Sequence, residues 1–315
     1  MNAKTTLAIP PGADFNPFTC ADSRSAASLM HTTPPGHTGY TDGTANPRGP
    51  WDGMRPLYDQ LGGFHGGFTS VTPEAVASAT PALVTWQPPT SGAGTVTELA
   101  TPALLDRGLY LTDTIRQGKR YPRQKNIQGF YYWSTVGHHV WHESELEANV
   151  MRRYDLRGDV VAAASQPFTI NFADDREHTP DMLLLLEDHR QVVVDVKAAT
   201  FLPKALEQFE KTKAVCNAAG WEYDIHWDAT PQVKVNLDRL SLFKHPGYHP
   251  GAEREQRLLS WLGEPRTLRE AAVATNPRTV PEGRSVILHL LWTGALTLDL
   301  TKPISDRTLI GRTSK

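Results

Sequence analysis

From about Asp113 to Pro246 the hydrophobic and polar positions fall into the two periods of regular structure. In HESELEANVMRRYDL, Leu146, Val150, Met151 and Tyr154 recur at helical spacing and predict a helix over Glu143 to Arg153, with His142 or Ser144 as its cap. Asp155 and the run Arg157-Gly158-Asp159 mark the exit from it. VVAAASQPFTINF predicts one or two strands. MLLLLE and QVVVDVKA predict two more, joined by a turn around Asp188-His189; the β-branched run Val192, Val193, Val194 and Val196 suits a strand covered on both faces. PKALEQFEKTKAVCNAAG carries Leu206, Phe209 and Cys216 on one helical face, with Pro203 fit for the first turn and Gly220 for the C-terminal cap. WEYDIHW returns as a strand. This order predicts a mixed α/β core, one layer of sheet flanked by helices.

The texture differs on either side. Residues 1 to about 110 are rich in Pro, Gly, Thr, Ala and Ser, and HTTPPGHTGYTDGTANPRGPWDGMRP has turn residues at nearly every step. This extension is expected to be poorly ordered. A small irregular domain anchored by Trp51, Phe64, Phe68 and Trp86 is the alternative. Beyond the core, GAEREQRLLSWLG, RTLREAAVAT and EGRSVILHLLWTG read as three short helices, and Leu296 to Leu300 (LTLDL) as an alternating strand before an extended tail. Three helices and a β-wing predict a winged-helix-like module; a helical appendage packed on the core or on a partner fits the same pattern. The expected domains are therefore 1–110, 111–248 and 249–315.

Composition narrows the classes. With 32 basic and 34 acidic residues among 315, net charge gives no sign for or against nucleic acid, so only local clusters bear on it. One such cluster is RQGKRYPRQK (Arg116 to Lys125), with five bases and no acid, followed by the aromatics of GFYYWS. It reads as a solvated loop or as an arm lying along phosphates. Two cysteines, Cys20 and Cys216, exclude a disulfide framework and a cysteine-rich zinc site, and predict a reducing, cytoplasmic setting. MNAKTTLAIPPGADF lacks the apolar stretch of a signal peptide, and no run is long enough to span a membrane.

The candidate chemistry lies in the strand pair. Asp195 and Lys197 sit in the valine-rich strand, two positions apart and so on one face, and Asp181 begins the strand before it. Unpaired buried charge is costly. A divalent cation would resolve this: Mg²⁺ takes carboxylate and carbonyl oxygens, which Asp181, Asp195 and the Val196 carbonyl supply. Lys197 would then stand beside the phosphate and the attacking water. A buried Asp–Lys ion pair, or a strand end that lets both charges reach water, is the alternative without a metal. The upstream helix offers a further carboxylate in Glu143 or Glu147, four apart on one face; Glu147 lies closer to the face of Val150 and Met151 and is favoured.

Glu147, Pro180-Asp181 and Asp195-Val196-Lys197 match the PD-(D/E)xK nuclease pattern. The resemblance extends further. GFYYWSTVGHHVWHESELEANVMRRYDLRGDVVAAASQPFTINF resembles the opening of TnsA-like proteins, the endonuclease subunits of heteromeric transposases, through its ESELE helix (Glu143 to Glu147), the exit loop ending at Asp159-Val160, and Gln166-Pro167-Phe168. VNLDRLSLFKHP and HLLWTGALTLDLTKPISDRT are also similar to these proteins, so the resemblance runs from about Gln117 to the C-terminus and leaves residues 1–110 unassigned. The exit loop RGDVV departs from the family's form, and Asp195 stands where some members have Gln. The resemblance implies a restriction-endonuclease-like fold and Mg²⁺-dependent nicking of DNA at transposon ends, with Mn²⁺ as a possible substitute. It also implies a DDE-type transposase partner and an AAA+ regulatory ATPase. Asp181, Asp195 and Glu147 would hold the metal, and Lys197 would serve the attacking water. Gln166 and His178 lie near the site in sequence and read as structural hydrogen-bonders. Three other readings compete: a stand-alone restriction or repair nuclease, a non-catalytic DNA-binding scaffold, and a zinc protein using His138, His139, His142 and His178. The last has no regular ligand spacing to support it.

Overall fold

The computed structural model describes residues 63–64, 71–89, 94–115, 127–228, 231–275 and 277–312. The readings of residues 1–62 and of the basic run Arg116 to Lys125 lie outside these residues. In chain order the elements are β1 (Gly63–Phe64), α1 (Pro73–Ala79), β2 (Leu83–Trp86), β3 (Val96–Leu99), β4 (Gly129–Trp133) and β5 (His138–His142). They continue with α2 (Glu145–Arg157), β6 (Val160–Ser165), β7 (Phe168–Asn171), β8 (Glu177–His178), β9 (Met182–Leu186) and β10 (Gln191–Val196). Then come α3 (Leu202–Ala219), β11 (Glu222–His226), α4 (Pro231–Ser241), α5 (Ala252–Trp261), β12 (Arg266–Thr267), α6 (Leu268–Ala274), α7 (Val280–Trp292), β13 (Leu296–Thr297) and β14 (Leu309–Arg312). The protein is a mixed α/β structure with several sheets. The described residues divide into two compact units, those up to 151 together with 160–228, and 152–159 together with those from 231 to 312.

The first unit is built on a five-stranded sheet in the order β1-β11-β10-β9-β6. β10 runs parallel to β11, and the other recorded pairings are antiparallel. β10 is buried from Gln191 to Asp195, as its valine run requires. A parallel partner needs a crossover, and α3 supplies it. That helix buries Phe209, Val215 and Cys216 and ends at Gly220, whose φ of 80° is the left-handed cap expected from the sequence. β6 and β7 are consecutive in the chain but belong to different sheets. Gln166, at φ 45°, and Pro167 turn the chain between them.

For the described residues between 71 and 110, the second sheet corrects the reading of a poorly ordered extension. Its order is β3-β2-β7-β8, all antiparallel, so strands from before residue 110 pair with a strand of the core. Val84 and Trp86 are buried on it. Thr72 caps α1, accepting from the Ala75 N–H at 3.2 Å. Two 3₁₀ turns, Pro102–Arg107 and Leu109–Leu111, bury Leu104 and Leu109. The segment from 71 to 115 is thus built structure where described. LVTW and VTEL are too short to announce themselves, and their partner β7 lies far along the chain.

The second unit carries α4 to α7 and a three-stranded sheet in the order β12-β14-β13. α6 opens on a capping box, with Thr267 accepting from the Glu270 N–H and Glu270 accepting from the Thr267 N–H. α7 approaches α6 at Gly283, where a Cβ would stand 2.2 Å from the Ala272 carbonyl oxygen; only glycine allows this approach. The expected strand Leu296 to Leu300 is a ladder at Leu296–Thr297 only. Leu296, Leu298 and Leu300 are nonetheless all buried, so the alternation reports burial rather than strand pairing. The domain boundary expected at 248 also moves. α4 belongs with the second unit, where Asn236 donates to the Leu300 and Lys302 carbonyls at 2.7 and 2.8 Å and Arg239 to that of Ile304 at 2.9 Å.

Candidate active site

The sequence-predicted acids all fall in the first unit, on three different elements. Glu147 stands in the first turn of α2. Ser144 caps that helix: its hydroxyl oxygen accepts from the Glu147 N–H at 3.2 Å, and its hydroxyl proton is donated to Glu147 Oε1 at 2.7 Å. Glu147 Oε2 accepts from the Glu143 N–H at 2.8 Å. The residue is 6% exposed. This is the reciprocal logic of a capping box, displaced by one residue at the return bond. The two glutamates differ in their surroundings. Glu147 turns inward, while Glu143 accepts from Gln166 Nε2 at 2.9 Å. Burial, above all, raises the Glu147 carboxyl above its ordinary value; the neighbouring Glu143 charge adds to this, and the hydrogen bonds from Glu143 and Ser144 oppose it.

Asp181 lies on the short link between β8 and β9. Its N–H donates to the Val194 carbonyl at 3.1 Å, and its Oδ2 accepts from the Val196 N–H at 2.6 Å. The carboxylate is therefore pinned across the end of β10. The residue keeps some exposed surface, yet burial is the largest cause pushing its carboxyl well above the ordinary range. The charges of Glu147 and then Asp195 push the same way, against the Val196 N–H and the Lys197 charge. Two carboxylates thus act on Asp181, and Lys197 is the cation that opposes them there.

Asp195 and Lys197 part company at the strand end. Asp195 is 2% exposed and does not pair with the lysine. His178 Nε2 lies 2.9 and 3.0 Å from its two oxygens, and the Tyr223 hydroxyl donates to Oδ2 at 2.5 Å. β10 ends at Val196, and Lys197 follows it with an exposed side chain and its N–H on the His226 carbonyl at 2.9 Å. The picture of a buried acid–base pair is corrected accordingly: the acid is buried among other donors, and the base reaches water. What the structure shows of Val196 is its N–H on Asp181.

Two contributors were absent from the sequence reading, and a third, Ser144, was read only as a helix cap. Ser144 orients Glu147, Tyr223 orients Asp195, and Gln208 of α3 places its amide nitrogen 2.8 Å from His178 Nδ1. Gln166 and His178, read as structural hydrogen-bonders, bond directly to Glu143 and Asp195. The serine was visible as the cap of a helix beginning SxxE. Tyr223 was not, because which β11 side chain reaches Asp195 depends on the register of a parallel pair that a helix separates in sequence. His138 and His139 are exposed on β5 and His142 is buried at its end, while His178 bonds Asp195.

Among the described residues no three His, Cys, Asp or Glu side chains form a ready cage for a metal ion. The donor set is nevertheless of the kind a hard divalent cation takes, all carboxylate oxygen, and such a charge would offset both the burial and the repulsion that raise Asp181. Searches against protein-family models and against curated proteins give no match for this chain.

Proposed function

We propose that this protein is a metal-dependent DNA endonuclease with a restriction-endonuclease-like core, acting as the nicking subunit of a TnsA-like heteromeric transposase. The reading is carried by Asp181, whose Oδ2 accepts from the Val196 N–H at 2.6 Å and is so held at the end of β10, the strand of Asp195, while the charges of Glu147 and Asp195 add to the burial that raises its carboxyl. The order of elements from α2 to β11 supports the core, and α5 to α7 with the sheet β12-β14-β13 support a winged-helix-like C-terminal module. The proposed substrate is DNA at transposon ends, and the proposed partners are a DDE-type transposase and an AAA+ ATPase.

Glu147, Asp181 and Asp195, with the Val196 carbonyl, would hold Mg²⁺ or Mn²⁺. When bound, such an ion neutralises charge on the phosphate and makes water a stronger nucleophile. The chain's own residues do the rest. Ser144 and the Glu143 N–H fix the Glu147 carboxylate, and the Val196 N–H fixes that of Asp181. Lys197, exposed at the strand end, faces the charge that grows on the phosphoryl oxygens as water attacks. The P–O bond to the 3′ oxygen breaks as the new P–O bond forms, leaving a 5′-phosphate and a 3′-hydroxyl.

A second reading, a non-catalytic DNA-binding protein with the same core, is favoured by one observation: Asp195 and Glu147 already have protein donors on both carboxylate oxygens. End chemistry separates the two. With Mg²⁺ and the cognate transposase, wild-type protein is expected to leave ends that DNA ligase reseals without phosphorylation, and Asp195→Ala to leave DNA intact. Uncut DNA with both proteins would favour the scaffold.

A further inference from the structure

The carboxylate of Asp195 is held from two sheets at once. His178 belongs to β8 in the four-stranded sheet, and Tyr223 to β11 in the five-stranded sheet that contains Asp195 itself. Tyr223 stands beside Val193 in the parallel ladder, on the face that Asp195 shares, and reaches along the strand to Oδ2. From the other side His178 Nε2 spans both oxygens. The imidazole is oriented in turn. The Gln208 amide donates to Nδ1, which leaves Nε2 as the nitrogen that donates to Asp195. The result is a chain from Gln208 through His178 to Asp195, closed by Tyr223.

We propose that His178 and Tyr223 are positioning residues that set the Asp195 carboxylate for the divalent cation, with Gln208 fixing the imidazole. The proposal rests on the nuclease reading. Its ground is geometric: His178 and Tyr223 hold one carboxylate from two sheets, and Gln208 holds the imidazole. A carboxylate has about four lone-pair directions, and the three contacts leave room for a cation. The competing role is a staple between sheets, for which His178 and Tyr223 would matter to stability alone. Partners that orient a metal-binding side chain are typically worth about 10- to 100-fold in metal affinity, which makes the two roles separable.

The test is calorimetric titration of the full-length protein with Mn²⁺, without DNA, beside its thermal unfolding without the ion. Tyr223→Phe and His178→Ala are expected to weaken Mn²⁺ binding by about 10- to 100-fold. His178→Gln, whose amide can donate to the same oxygen, is expected to recover most of that loss. Should His178→Ala fail to fold, Tyr223→Phe, which removes one hydroxyl, carries the comparison. Folded variants that bind Mn²⁺ as wild type does, with only the unfolding temperature lowered, would overturn the positioning role and leave the nuclease reading standing. A wild-type protein that binds no Mn²⁺ would overturn both.

Discussion

Asp181→Asn is expected to abolish cleavage while making the cation-free protein more stable. The two effects share one cause. Asp181 sits half-buried against the charges of Glu147 and Asp195, so its ionised form is unfavourable in the folded chain. Asparagine keeps an oxygen for the Val196 N–H and removes the charge. Relief of this kind is commonly worth about 0.5–2 kcal/mol. The loss of a charged ligand to a catalytic ion, taken at about 4 kcal/mol, corresponds to about a thousandfold in rate. The pH dependence has a defined sign. A carboxyl whose folded value is raised contributes stability that is complete below its unfolded value, here 3.8, and is lost as pH rises through the folded value. The advantage of Asp181→Asn over wild type should therefore be small near pH 4 and grow toward neutrality, in urea unfolding without divalent ions. Burial holds His289 below its ordinary value and has the opposite sign, its stability being lost as pH falls from 6.5, but it is common to both proteins and cancels. Saturating Mg²⁺ should reverse the order by stabilising wild type alone. A variant that cuts as wild type does would remove Asp181 from the site.

Lys197→Ala is the complementary case, a loss of rate with the cation site kept. The side chain is exposed and lies beyond the end of β10, so its removal should change stability by less than about 0.5 kcal/mol. Removing one positive group that faces the developing phosphoryl charge costs about 10²–10³ in rate in comparable sites. Single-turnover cleavage should fall by that factor while Mn²⁺ affinity stays within a few-fold of wild type. Unchanged cleavage would make Lys197 an ordinary surface lysine that softens the acidity around Asp181.

Much of this arrangement is written locally. The strands β9 and β10, the turn between them, α3 with Gly220 at its end, and the spacing of Asp181, Asp195 and Lys197 all follow from nearest-neighbour chemistry and period. The inward turn of Glu147 follows from its place three residues after Ser144. What was hidden depends on contacts remote in sequence. β2 and β3 are four residues each and become strands through β7. Tyr223 meets Asp195 through the parallel register of β10 and β11, and His178 meets it from another sheet. The spacing also hid a difference in burial: the strand ends at Val196, so Asp195 is buried within it while the Lys197 side chain is exposed beyond it. The buried strand carries an acid because His178 and Tyr223 receive it, and the base two positions later has an exposed side chain.

The central claim is that the three carboxylates and Lys197 serve phosphodiester cleavage at transposon ends with a partner enzyme. The most direct measurement is strand-specific nicking of a supercoiled plasmid bearing those ends, in Mg²⁺, with and without the cognate DDE transposase, beside Asp195→Ala. A nick that maps to the strand the transposase leaves alone, requires both proteins and disappears in the variant is the predicted result. Folded protein that binds the DNA and leaves that strand whole under every condition would contradict it.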